Sequence, residues 1–328
     1  MRRPDLVRDY AEDLALFEDR RWMVAAVLAF AACVGFVLGP APDYAVFVTT
    51  RIALFVIAAI GLNLLMGYAG QISLGHAAFL AIGAYTHTIL YTKGAPLLVG
   101  ALAGAAVAGA FGFIVGIPSL RLEGPYLAIS TLGFQVAVDQ LLGRWESLTG
   151  GRMGLPVPAP EIFVELSSRA YAVLSIVVTT LVIIGAYNLT RSRIGRAFVA
   201  IRDNETAAES MGVNLVVYKT MAFAISAAIT GLAGALLVHQ SDSINPSNFT
   251  LLTSIELLVM IMVGGLASIL GSVLGASLLV TLEHTLTAFA DYQTVAIGTI
   301  LILVILFEPM GLRGRWLRMR LYFKAWPF

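Results

Sequence analysis

Chemistry-bearing residues are sparse in this chain, and their types exclude most reactions before any fold is considered. The three lysines are Lys93, Lys219 and Lys324, and none follows a glycine. No G-x-x-x-x-G-K-[ST] occurs, so the chain carries no phosphate-binding loop of its own for ATP. No C-x-x-C, H-E-x-x-H or G-x-S-x-G occurs either. The single cysteine, Cys33, lies inside an apolar run, where a buried thiol serves as a small hydrophobe. The histidines His76, His87, His239 and His284 are scattered, and a helix-end or hydrogen-bonded role fits each better than metal ligation. No catalytic group, metal site or cofactor of the chain's own is expected. Acids within apolar runs are functional suspects by default. Asp139, Glu256, Glu283, Asp291 and Glu308 all sit near the ends of such runs. The midplane chain of acids expected of a proton-coupled carrier is not visible.

What remains is polar but unreactive, and it falls in a few places. Gly67-Tyr68-Ala69-Gly70-Gln71-Ile72-Ser73-Leu74-Gly75-His76 and Gly264-Gly265-Leu266-Ala267-Ser268-Ile269-Leu270-Gly271-Ser272 interrupt apolar runs with Gly and Ser. Irregular backbone at membrane depth is tolerated only where protein or a water-filled cavity satisfies it. Paired Gly-interrupted segments point to a translocation site. Two readings therefore stand side by side: the links line or gate a pathway, or they let helices pack closely through small residues. The pathway residues would be Gly70, Gln71, Ser73, Gly75 and His76 from the first link, and Gly264, Gly265 and Ser268 from the second. Arg191 to Gly212 is a basic island that reads as two short helical pieces. Asp203 or Asn204 can cap the second piece and Gly212 can end it. Such an element between two spans is a candidate docking site for a partner. Pro118 to Tyr126 reads as a tight turn with an Arg121–Glu123 pair, and Thr149 to Pro156 as a shaped, Gly-rich outer loop.

The elements that must position these residues are membrane spans. The chain of 328 residues is 59% hydrophobic and 12% charged, against roughly 25% charged in soluble domains. A net charge of +1 implies no nucleic-acid partner. Apolar runs that can cross a bilayer are Trp22–Gly39, Ile52–Gly67, Ala77–Tyr91, Leu97–Ile117, Tyr126–Leu142, Tyr171–Leu189, Tyr218–Val238, Leu252–Val263, Ser272–Leu286 and Thr294–Phe307. The fold class is an all-α polytopic membrane protein of about ten transmembrane helices. The N-terminus is too long and too acidic for a signal peptide, so the first run is read as a retained span. Alternating these runs gathers most Arg and Lys on one side, including Arg2, Arg20, Arg121, Arg191, Arg196, Arg202, Lys219 and Arg313. Only Arg51, Lys93, Arg144, Arg152 and Arg169 fall on the other. The positive-inside rule then makes the basic side cytoplasmic. The expected organisation is a cytoplasmic segment over 1–21, a transmembrane domain over 22–312 and a basic cytoplasmic tail over 313–328. Within the domain, a cytoplasmic loop spans 190–217 and an outer loop 143–170.

Several stretches carry a family resemblance, in order and spaced as in the family from about Ala53 to Leu312. The first is Gly61-Leu62-Asn63-Leu64-Leu65-Met66-Gly67 continuing through Gly75-His76-Ala77-Ala78-Phe79. Gly124-Pro125-Tyr126-Leu127-Ala128-Ile129-Ser130-Thr131-Leu132-Gly133-Phe134 leads into Thr149-Gly150-Gly151. Ser192-Arg193-Ile194-Gly195-Arg196 continues through Asp203 to Gly212. Gly264-Gly265-Leu266 and Leu306-Phe307-Glu308-Pro309-Met310-Gly311-Leu312 close the set. Together they resemble the LivM-type permeases of branched-chain amino acid ABC importers. The resemblance implies the ABC importer permease fold in a bacterial inner (plasma) membrane, with both termini cytoplasmic. It also implies a homologous second permease, two cytoplasmic ATPase subunits that bind the ATP, and a periplasmic substrate-binding protein. Such permeases present a coupling helix with an Ala-Ala-x-x-x-Gly core to the ATPase, and Ala207-Ala208-Glu209-Ser210-Met211-Gly212 is similar to it. Thr206 stands where the general motif has Glu, with Glu205 one place earlier. The coupling residues implied are Asp203, Asn204, Glu205, Ala207, Ala208, Glu209 and Gly212. Arg152-Met153-Gly154 departs from the polar-Asp-Gly common in the family. Urea and short amides use similar permeases, so they stand as alternative cargo. A stand-alone ion-coupled carrier or channel, and an inert membrane scaffold, are the readings from other classes.

Overall fold

The computed structural model describes residues 20–39, 41–122, 124–161, 166–285 and 298–299. The tenth apolar run apart from 298–299, the segment before Arg20, Glu123, Asp291, Glu308 and the basic tail lie outside the described residues. The described chain is helical, with one pair of two-residue strands. Its long helices are α1 (Arg20–Leu38), α2 (Asp43–Asn63), α3 (His76–Thr92), α4 (Leu97–Gly116) and α5 (Pro125–Arg144). A single turn, α6 (Glu146–Thr149), precedes α7 (Ser168–Arg191). Two polar helices, α8 (Arg193–Asp203) and α9 (Glu205–Ser210), lead into α10 (Leu215–Leu237), α11 (Leu251–Gly264) and α12 (Ile269–Thr285).

Among the described residues, five stretches are long and apolar enough to cross a membrane: Asp43–Tyr68, Leu97–Leu120, Ser168–Arg191, Leu215–Gln240 and Pro246–Gly264. The first, third, fifth and ninth apolar runs also contain or form helices, α1, α3, α5 and α12. The second run starts earlier than hydropathy indicates, at Asp43 rather than Ile52. Pro42 sets the entry and an acid in the first turn suits the helix dipole. Arg51 therefore lies inside α2, not in a loop. It is accommodated there by Glu283 of α12 at 3.7 Å.

α2 is buried on all sides from Ala53 to Leu65, as a helix apolar around its whole circumference must be. It contacts α7, α10, α11 and α12. α10 is the second central helix and lies against α2, α3 and α4. Small residues allow that approach. Along α4, a Cβ at Gly109 would stand 3.1 Å from the Ala228 Cβ, and one at Gly116 would stand 2.9 Å from the Thr220 Cα. α1 packs on α7 around Val37, Ala172 and Ile176. Cys33 is exposed on α1 and so is not the buried thiol expected. α4, α5 and α7 turn Leu102, Ile129 and Leu181 outward. In a bilayer these faces meet lipid or another apolar chain. Leu155–Pro156 pairs antiparallel with Ser243–Ile244, pinning the Gly-rich loop to the far end of α10.

Candidate functional site: a junction of two broken helices and a polar helix pair

The first link begins where α2 widens into a π-type turn, Leu64–Tyr68. The Ala69 and Gln71 N–H groups then reach back to the Leu64 and Leu65 carbonyls. Gly70 takes φ +70°, a conformation open to glycine at little cost. The chain re-enters a helix at His76, which is fully buried. The Ser226 hydroxyl donates to the Gly61 carbonyl (2.6 Å), so it accepts from His76 Nε2 (2.8 Å). That fixes the neutral Nε2–H tautomer, with Nδ1 accepting from Ser73 Oγ at 3.0 Å. His76 thus locks α3 to α10 and has no free ring nitrogen. Gln71 differs: it is 5% exposed, and both amide atoms are buried without a hydrogen-bond partner.

The second link is shorter than the sequence indicates, because α12 already begins at Ile269. Residues 265–268 make the turn, with Gly265 at φ +120° and Ala267 at φ +55°. Gly264 and Gly271 lie carbonyl-against-backbone, so α11 and α12 form a tight hairpin. Asn63 ties this turn to α2. Its Oδ1 accepts from Ala267 N–H (2.9 Å), while Nδ2 donates to the Ser268 carbonyl (3.0 Å) and to Ser272 Oγ (2.8 Å). Gly67 packs on the same spot, where a Cβ would overlap Asn63 Oδ1 and Ala267 N. The two links are one structural unit, brought together across about two hundred residues of sequence.

The basic island is two helices, as its sequence indicates. Ser192 caps α8 by accepting from Ile194 and Gly195 N–H. α8 buries Ala197, Phe198 and Ile201 and turns Arg193 and Arg196 outward. Asn204, rather than Asp203, caps α9, accepting from Ala207 N–H at 2.9 Å. After Met211 the chain reverses through Gly212 at φ +87°, with Gly212 N–H bonded to the Glu209 carbonyl. Glu205 is ion-paired to Lys219 at the start of α10, Nζ to Oε2 2.6 Å, with the lysine side chain 3% and the glutamate 34% exposed. Asp203 holds Arg202 at 2.8 Å, and Arg202 also donates to the Gly67 carbonyl at 3.0 Å.

The polar helix pair therefore touches the first link, and the first link touches the second. Of the coupling residues named from sequence, Ala207, Glu209 and Gly212 are exposed, whereas Ala208 is buried beneath α9. Of the pathway residues, Gly70 is exposed and Gln71, Ser73, Gly75, His76, Gly264, Gly265 and Ser268 are buried. Asn63, Arg202, Lys219 and Met211 were missing from both sets. A lone amide in an apolar run was the available signal for Asn63. The two basic residues were absorbed by the charge asymmetry of the termini and loops. Met211, 85% exposed at the tip of α9, has no counterpart in hydropathy reasoning.

A test of the ion pair follows from its unequal burial. Glu205→Ala strands a buried ammonium and is expected to cost of order 3 kcal/mol, whereas Lys219→Met frees a carboxylate that water already reaches and costs less. The double variant should recover most of the Glu205→Ala loss, so thermal melts in detergent would show strong non-additivity. Additive losses would mean the pair contributes nothing as a pair.

The family model described as "Branched-chain amino acid transport system / permease component" matches residues 44–307. The chain belongs to this permease family. It is 34% identical to the high-affinity branched-chain amino acid transport system permease protein LivM of Salmonella typhimurium, over 81% of this chain and 69% of that one. LivM of Escherichia coli K12 is 32% identical over the same shares. LivH of that organism, also a permease protein of such a system, is 26% identical over 80% of this chain and 91% of its own length. No solved structure matches significantly. The permease is a multi-pass membrane protein and a transport subunit, and the LivM resemblance read from its motifs holds.

Proposed function

We propose that the permease forms the membrane pathway of an ATP-driven ABC importer for branched-chain or related amino acids. It would span the inner membrane about ten times, with both termini and 190–217 in the cytoplasm and 143–170 outside. Two ATPase subunits, a second permease and a periplasmic binding protein complete it. The carrying observation is α9. It is short, capped at both ends, held by an ion pair to the buried Lys219, and presents Ala207, Met211 and Gly212 outward beside exposed Val216. A chain without a phosphate-binding loop does not draw on ATP by itself, and an anchored helix with an exposed apolar tip suits contact with a subunit that does. Gln71, with an unpartnered buried amide in the first link, suits the lining of a polar path.

The test is reconstitution in proteoliposomes of the permease with its candidate partners, using labelled leucine and urea as alternative cargo. Leucine uptake that requires ATP is expected. Ala207→Trp should cut uptake about tenfold, equivalent to about 1.4 kcal/mol at the contact, and strip the ATPases on purification. Leu102→Trp, on an exposed face of α4, should do neither. Leucine flux through the purified chain alone under an ion gradient would sink the proposal.

A further inference from the structure

We infer that Arg202 is the positioning residue through which movement of α9 reaches both broken links. The inference rests on the importer reading above and names the internal route that reading leaves unassigned. Arg202 is the penultimate residue of α8, with only Asp203 and Asn204 between it and α9. Its guanidinium is held from one side by Asp203, with Nε and Nη2 at 3.0 and 2.8 Å from Oδ1. From the other it donates through Nη1 to the Gly67 carbonyl at 3.0 Å. Arginine alone among the cationic side chains offers this fork of fixed donors.

The approach is close enough to transmit force. A Cβ at Gly70 would stand 2.7 Å from Arg202 Cγ and 3.1 Å from its Cα. From Gly67 the contact continues without a gap, since Gly67 lies against Ala267 and Asn63 bonds Ala267, Ser268 and Ser272. The segments so reached are those whose backbone can change without breaking a helical ladder. Gly70, Gly265 and Ala267 all hold positive φ, and hinges are a few such positions. Lys219–Glu205 supplies a second anchor on α10, so α8–α9 is held at two points and pushed at a third.

The bland alternative is that Arg202 merely caps the carbonyl end of α2, as cations do. The two separate in a coupled assay. The complete complex is reconstituted with ATPases, second permease and binding protein. Leucine uptake and ATP hydrolysis are then measured in the same vesicles. Arg202→Ala is expected to lower leucine moved per ATP about tenfold, a usual size for coupling between sites, while hydrolysis stays within about twofold. Arg202→Lys, with one ammonium in place of the fork, should fall between. Uptake and hydrolysis falling in step, or a wild-type ratio, would overturn the inference. Should Arg202→Ala lose the ATPases, Gly70→Ala decides, because it keeps the guanidinium while disturbing the close approach and the φ +70° backbone of the link itself. A wild-type ratio there also overturns it. Wild-type vesicles without ATP-dependent leucine uptake would instead refute the importer reading, and the inference with it.

Discussion

Asn63→Leu is expected to dismantle the junction between the two links and to lower thermal stability by about 3 kcal/mol, roughly 5–10 °C in a melt. Leucine has the same number and branching of side-chain heavy atoms as asparagine, so most of the loss is one of hydrogen bonds. The amide satisfies the Ala267 N–H, the Ser268 carbonyl and the Ser272 hydroxyl together, in a region where water is scarce. Each buried group left unpaired costs on the order of 1–3 kcal/mol, although Ser268 O retains a long bond from Ser272 Oγ at 3.3 Å. The branched leucine would also press on Gly67, whose α-carbon faces Asn63 Oδ1. Thr230→Val is the matched control. Thr230 Oγ1 is buried with no partner, so its removal should leave stability unchanged or raise it. If Asn63→Leu melts with the wild type, the turn at 265–268 is held by packing alone. Ala267 at φ +55° would then need another reason to stay in a conformation that alanine avoids.

Much of this architecture was legible because bilayers impose a length and a polarity. The first nine apolar runs became helices, the Gly-Ser links became breaks, and the basic island became two capped pieces, each from signals within a few residues. Where a partner lies far along the chain, that reasoning fails for a physical reason. Arg51 looked like the end of a span because hydropathy weighs each residue alone, whereas Glu283 of α12 lets it sit inside α2. Lys219 and Arg202 already had an explanation in the charge asymmetry across the membrane, so nothing in the sequence asked for Glu205 or the Gly67 carbonyl. Ala208 reads as surface in a motif of small residues, yet it is small because α9 lies on the helices beneath it. His76 was placed in the pathway set by its position in the link. Its two serine bonds, to Ser73 and Ser226, appear only once α3 and α10 are side by side.

Gly83→Val is expected to have the largest effect of any single change, preventing α3, α4 and α10 from closing on one another. At this crossing the helices meet backbone to backbone. A Cβ at Gly83 would overlap the Gly231 carbonyl, one at Gly234 would overlap Leu80 O, and one at Gly104 would stand 2.6 Å from Gly83 O. Overpacking usually costs about 1–3 kcal/mol because neighbouring side chains yield. Here the obstacle is peptide carbonyls, which cannot rotate away without breaking their own helix, so the cost should reach or exceed that upper bound. The expected result is loss of the monodisperse peak in size-exclusion chromatography and of leucine uptake. Gly185→Val on α7, where a Cβ meets nothing within 4 Å, should leave both intact. The crossing matters beyond stability because α3 starts at the first link and α10 starts beside Lys219. A wedge at Gly83 would therefore separate the helix that leaves the first link from the helix that anchors α9. Uptake should fall further than stability in any variant at this site that still folds.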